Sequence, residues 1–335
     1  MLGMIIRIIL VIIVLFSGII QSSAQTYYFD SYGVSDGLSS SKVYDIIQDR
    51  NDYLWLATES GATRWDGSVF ENFSSDDGLA AGGVIAIYED KDGRIWMGHL
   101  NGGLSCFEDN IFRQISIDTI QITGDITGIT EYDNKLWLTT SFNGALAADI
   151  SNMDTVLLNV KQYRGAQGLS DQVSGIYIDN SDILYCIADL GIKQYDPESD
   201  KFEAYRPEGL TNYFNTITML EDSKGGRWFG TYHGGLYYLP PGGGEMVVYD
   251  SRRDGLANNF ISFLTEDSNG NIWVGTFGGG ITVFSDGEMR TYNDKNGLPA
   301  MQIQSIMEDR EGNIIITSHT SGIPVSYTHL TLPTN

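Results

Sequence analysis

The chain has 335 residues, with 43 acidic and 20 basic side chains and a formal net charge of −23. That acidity repels phosphate backbones and anionic lipid headgroups, which argues against nucleic acid and peripheral membrane partners. At 42% apolar and 19% charged the chain is able to bury a large core, and its two cysteines exclude a disulfide framework.

The first 24 residues read as a secretory signal peptide, outside the fold. Arg7 supplies a minimal positive start, Ile8 to Phe16 is a continuous apolar run, and Ser22-Ser23-Ala24 offers small residues for cleavage before Gln25. The other reading is a retained membrane anchor, for which Ile5 to Ile20 is short and interrupted by Arg7.

The chain then repeats. Asp90 to Leu104, with Gly93, Trp96, Gly98 and Gly102-Gly103, returns as Asp267 to Ile281 and as Asp222 to Leu236. Anchored on the aromatic, copies fall at Trp55, Trp96, Trp137, Tyr185, Trp228, Trp273 and, with the ring lost, Ile315. The steps are 41, 41, 48, 43, 45 and 42 residues. A Gly-Leu pair leads most copies, at Gly37, Gly78, Gly168, Gly209, Gly255 and Gly297. A strand-patterned repeat of about 40–45 residues has the period of a propeller blade, and seven units suit a closed ring.

Each unit reads as four strands. In the second, Val84 to Tyr88 is a largely apolar run suited to the inner strand, and Ile95 to Gly98 follows an Asp-Gly turn. Leu104 to Phe107 follows a Gly-Gly bend, and Ile111 to Ile115 alternates as an outer strand should. Cys106 and Cys186 fall inside strands two units apart, too far to pair, and are expected to be buried small hydrophobes. The third unit is irregular, with Ile122-Thr123-Gly124-Asp125 where Gly-Leu belongs.

The two ends predict closure. Tyr32 shares its phase with Phe73, Tyr163 and Tyr292 on outer strands, so Tyr27 to Tyr32 is an outer strand without a blade. Gln302 to Ile323 supplies three strands and stops. The predicted fold is an all-β, seven-bladed β-propeller of four-stranded blades over 25–323, closed by the N-terminal strand. Residues 324–335 do not continue the repeat and resemble a translated adaptor remnant, so the natural chain is expected to be longer.

The run Asp-Gly-Leu, an apolar strand, then Asp-x-x-Gly-x-Ile-Trp-x-Gly-Thr-x-x-Gly-Gly-Leu resembles the two-component regulator propeller repeat. Asp254 through Ile281 matches nearly throughout, and the resemblance covers about residues 30–323. It implies the periplasmic sensor of a membrane-bound hybrid histidine kinase, whose ligands are commonly oligosaccharides. Such sensors carry two propellers, a β-sandwich, a membrane span and a kinase. The resemblance therefore implies a sensor module whose C-terminal sandwich, span and kinase lie outside this chain.

In a propeller the bends between second and third strands share a face with the loops leading into the inner strands. Aromatic rings there stack on sugar rings while amides and imidazoles bond hydroxyls. The expected ligand-binding residues are His99, Asn101, Phe142, Asn143, Asn215, Tyr232, His233, Asn259 and Phe277. His99 stands where most copies have Thr or Ser, which marks it for a special role. His99, His233 and His319 sit on blades two, five and seven, too far apart for a shared metal. Asp90 to Gly93 resembles half a calcium loop and is read as a hairpin turn, and the repeated Trp as core packing. No catalytic set, metal or cofactor is expected. The functional expectation is a non-enzymatic ligand sensor, with a streptogramin-lyase-like enzyme and a protein-docking scaffold as alternatives.

Overall fold

In the computed structural model, residues 27–151 and 155–327 are described. Seven four-stranded antiparallel sheets form the blades of a ring, with no α-helix among the described residues. The inner strands are Val43–Gln48, Val84–Glu89, Ile126–Tyr132, Val173–Ile178, Thr216–Glu221, Ile261–Glu266 and Ile303–Glu308. Each runs down the channel wall, and its partners step outward in chain order.

The seventh sheet holds Ile303–Glu308, Ile314–Ser318 and Ile323–Ser326, and takes its outer strand, Asp30–Tyr32, from the other end of the chain. Tyr32 lies opposite Ile323 and Asp30 opposite Val325. The Tyr32 and Tyr327 hydroxyls meet at 2.7 Å. Closure thus leaves no open inner edge at the seam. It also moves the boundary expected at 323, because Pro324 to Ser326 complete a buried strand. Residues 1–26, which hold the expected signal peptide, and residues 328–335 lie outside the described residues.

The repeated aspartate and tryptophan explain one another. Asp49, Asp90, Asp222 and Asp267 each accept a hydrogen bond at 2.8 Å from the indole of Trp55, Trp96, Trp228 and Trp273. The other oxygen takes turn N–H groups, as Asp267 does from Asn269 at 3.0 Å and Asn271 at 2.9 Å. Blade four keeps the pattern with Asp179 and the Tyr185 hydroxyl at 3.1 Å. The Asp-x-x-Gly turn therefore sets more than backbone geometry: it orients a ring packed among the next blade's apolar residues, as Trp55 packs with Val84 and Met97.

Blades are also clamped at the lower face. Glu89, Glu131, Glu221, Glu266 and Glu308 accept backbone N–H groups from Arg50, Lys91, Asn180, Ser223 and Ser268 of the preceding blades. Gln48 does the same for Arg310 across the seam. Blade four ends its inner strand in Ile178 and has no such clamp. There Asp200 takes the Lys161 ammonium and the Tyr163 hydroxyl of blade three, which hold its pKa down at about 2. Blade three is irregular as its sequence predicts. Its outer strand, Lys161–Tyr163, is delayed by an excursion in which Val156–Leu157 pairs in parallel with Ser116–Ile117.

Candidate functional site

The upper face is assembled by one repeated bond. The first N–H of each bend donates to a carbonyl of the loop leading into the same blade: Tyr232 to Asn215 at 2.8 Å, Phe277 to Phe260 and His319 to Gln302 at 3.0 Å. The Thr or Ser ending the second strand closes the bend, as Thr231 does on the Gly235 carbonyl at 2.8 Å. Gly235 has φ +82, and a Cβ there would lie 2.3 Å from the Tyr249 carbonyl, so the bend needs glycine. With the backbone held this way, the side chains at the bend tips are free to vary.

Blades five, six, seven and one place aromatic rings in a continuous arc. Tyr232 lies 4.1 Å from the His233 ring and 4.3 Å from Phe260. Phe260 lies 5.2 Å from Phe277, Phe277 5.9 Å from His319, and His319 6.5 Å from Tyr44. Tyr232 is 47% exposed, enough to present a ring face to a ligand. His233 is exposed at φ +75, and Phe260, Phe277 and His319 are half-buried. Burial lowers the His319 pKa, and the nearby Lys42 ammonium adds to this. Lys42 itself pairs with Glu59 at 3.0 Å. Asn215 is exposed behind Tyr232, its amide donating to Asn212 at 2.7 Å.

The arc gathers Tyr232, His233 and Phe277 with Asn215 beside them. Other expected residues lie elsewhere. His99 is fully buried, its Nδ1 3.0 Å from the Gly82 carbonyl and its Nε2 2.8 Å from Ser105 Oγ. It braces the bend in place of the usual hydroxyl, burial lowers its pKa, and it is out of a ligand's reach. Asn143 is buried and its Oδ1 accepts from Thr123 N at 2.8 Å, tying down the irregular segment of blade three. Asn259 spends both ends of its amide on Ser251 N and Asp250, each at 2.7 Å. Asn101 and Phe142 are exposed on blades two and three, apart from the arc.

Sequence reasoning missed Tyr44, Asp45 and Gln304. They belong to the channel that opens beneath the arc, a space of about 470 Å³. All seven inner strands slip register at their second residue, as between Val43 and Asp45. Such a bulge turns two consecutive side chains toward the axis. Gln304 on this wall reaches His319 Nδ1 at 3.5 Å. The available signal was an acid, Asp45, inside an otherwise apolar inner strand. Among the described residues no cluster of three or more His, Cys, Asp or Glu is placed to hold a metal ion.

Residues 37–60, 78–101 and 255–278 match the family described as two component regulator propeller. No curated protein matches the chain. Among solved structures, the extracellular domain of a hybrid two component system from B. thetaiotaomicron superimposes with a TM-score of 0.74 at 21% identity, over 90% of this chain and 42% of that one. The extracellular domain of a one component system from the same organism gives 0.73 at 21% identity, over 90% and 40%. The chain thus spans about two fifths of the length of these domains. A virginiamycin B lyase from Staphylococcus aureus gives 0.69 at 13% identity, over 90% and 99%. These likenesses show the fold, a seven-bladed propeller, and three of its repeats match the two component regulator propeller family.

Proposed function

We propose that this propeller is the ligand-sensing part of a two-component regulator, exported to the periplasm, and that it binds an oligosaccharide across the arc from Tyr232 to Tyr44. The observation that carries the reading is the arc itself. Blades five, six and one present Tyr or Phe rings on one face, with the His233 and His319 imidazoles between them and amides able to bond hydroxyls nearby. Stacked rings supply affinity and the polar groups orientation. In the proposed protein a β-sandwich, a membrane span and a histidine kinase relay occupancy of the arc.

The sensor reading predicts that ligand leaves the protein unchanged. A glycan array followed by calorimetry on the best hit tests it: binding without product supports a sensor, and no binding to any glycan would remove the oligosaccharide. Likeness to lyases along nearly their whole length keeps an enzyme as the second reading. It would need a histidine base, and among the described residues only His233 and His319 stand on the upper face with exposed or half-buried rings.

A further inference from the structure

The neck of the channel carries a chemistry that the arc lacks. The bulges turn the second and third residues of every inner strand toward the axis, and six of the seven pairs are neutral. Blade one contributes Tyr44 and Asp45. Among the described residues lining this space, Asp45 is the only charged side chain. Its oxygens accept from Ile46 N at 2.9 Å and from Ile87 N of blade two at 3.3 Å. None of the ion pairs among the described residues includes it.

Asp45 is half-buried at the neck. A carboxylate so placed without a counter-charge is costly, and a cation beside it recovers that cost. We propose that the neck is a binding site for a small protonated amine, whose ammonium bonds Asp45 while its carbons lie against the channel wall near Tyr44. A hard metal ion demands several oxygen ligands, usually with more than one carboxylate, and the neck supplies one. An ammonium needs only three acceptors and gains from an aromatic face. The net charge of −23 draws cations toward the protein. The mouth lies directly under the arc, where Gln304 meets His319. The titratable groups around Asp45 are Tyr44 and Tyr177 on the wall, with Lys42, Glu59 and His319 above the mouth. Desolvation raises the pKa of Asp45 to about 6, so its ionisation gates the site near neutral pH.

The neck site is independent of the oligosaccharide reading. Its test is calorimetry with ethanolamine and with the neutral isostere ethylene glycol, on wild type and Asp45→Asn. Ethanolamine should bind wild type near pH 8. It should bind at least about tenfold more weakly near pH 4.5 and to Asp45→Asn, because each removes the charge. Ethylene glycol should not bind. Ethanolamine affinity unchanged in Asp45→Asn or at the lower pH, or matched by ethylene glycol, would overturn the proposal. So would binding of calcium or potassium chloride with none of ethanolamine, which would make the neck a metal site. Should the variant fail to fold, the two pH values on wild type decide the matter. Tyr232→Ala, distant from the neck, should leave ethanolamine binding intact, so failure of the arc and of the neck are read separately.

Discussion

Asp267 Oδ2 accepts a 2.8 Å hydrogen bond from the Trp273 indole, six residues on, and the two groups are buried together. The same carboxylate caps the hairpin between them through Asn269 N and Asn271 N. One side chain thus shapes the turn and aims the ring that seals two blades.

Asp267→Ala should leave a buried indole N–H and two turn N–H groups without partners. Unpaired buried donors cost about 1–3 kcal/mol each at most, and the turn groups regain water, so we expect about 3 kcal/mol in all. That is a fall on the order of 5–10 °C in melting temperature. Asp309→Ala should cost less, because blade seven has Ile315 in place of the ring and Asp309 caps only its turn and Asn313. Equal losses in the two variants, read by thermal melts, would mean that the indole bond contributes nothing.

Deleting residues 25–33 should open the ring. It removes the strand paired with Ile323–Ser326 and the Tyr27 ring packed 4.7 Å from Trp273. Loss of a strand and a buried aromatic points to a fall of about 10 °C or more, with a broadened transition. An unchanged calorimetric melt would refute closure by this strand.

Asp45 makes stability depend on pH with a definite sign. Its folded pKa, raised from 3.8 to about 6 by desolvation, means the folded state holds the proton more tightly than the unfolded chain. Its contribution is therefore full below about pH 4 and is lost as pH rises through about 6. The ceiling is about 3 kcal/mol, at 1.36 kcal/mol per pKa unit, reduced by the channel's access to water. Asp45→Asn should match wild type in denaturant melts near pH 4 and exceed it near pH 8. A variant less stable than wild type at pH 8 would contradict this.

Blade number, closure and the gathering of the bends on one face were legible because each repeats. A Trp every forty-odd residues, Gly-Leu ahead of it and Tyr32 in phase with Tyr292 are one-dimensional signals. The roles of His99, Asn143 and Asn259 were not, because their partners Ser105, Thr123 and Asp250 come beside them only in the fold. The neck was hidden for a different reason. Strict alternation puts Tyr44 and Asp45 on opposite faces, and only the bulge turns both to the axis. Pro324 masked the last strand, since proline is expected at a strand's edge or end, yet the segment is buried there.

A lyase requires turnover. Incubation with a streptogramin B antibiotic or with a bound oligosaccharide should give no product by mass spectrometry, with or without chelator. Product that disappears with His233→Ala would reassign the protein as an enzyme.

The most direct measurement of the central claim compares Tyr232→Ala with Asp92→Ala by calorimetry against an oligosaccharide that binds wild type. Tyr232 is an exposed ring at the head of the arc, and Asp92 sits in a hairpin turn on the opposite face, paired with Arg94 at 2.9 Å. Loss of a stacked ring costs on the order of 1–3 kcal/mol. Tyr232→Ala should therefore weaken binding about tenfold or more, since ~1.4 kcal/mol is a factor of ten. Asp92→Ala should leave affinity nearly intact. Equal losses, or a loss confined to Asp92→Ala, would contradict the assignment of the arc as the ligand site.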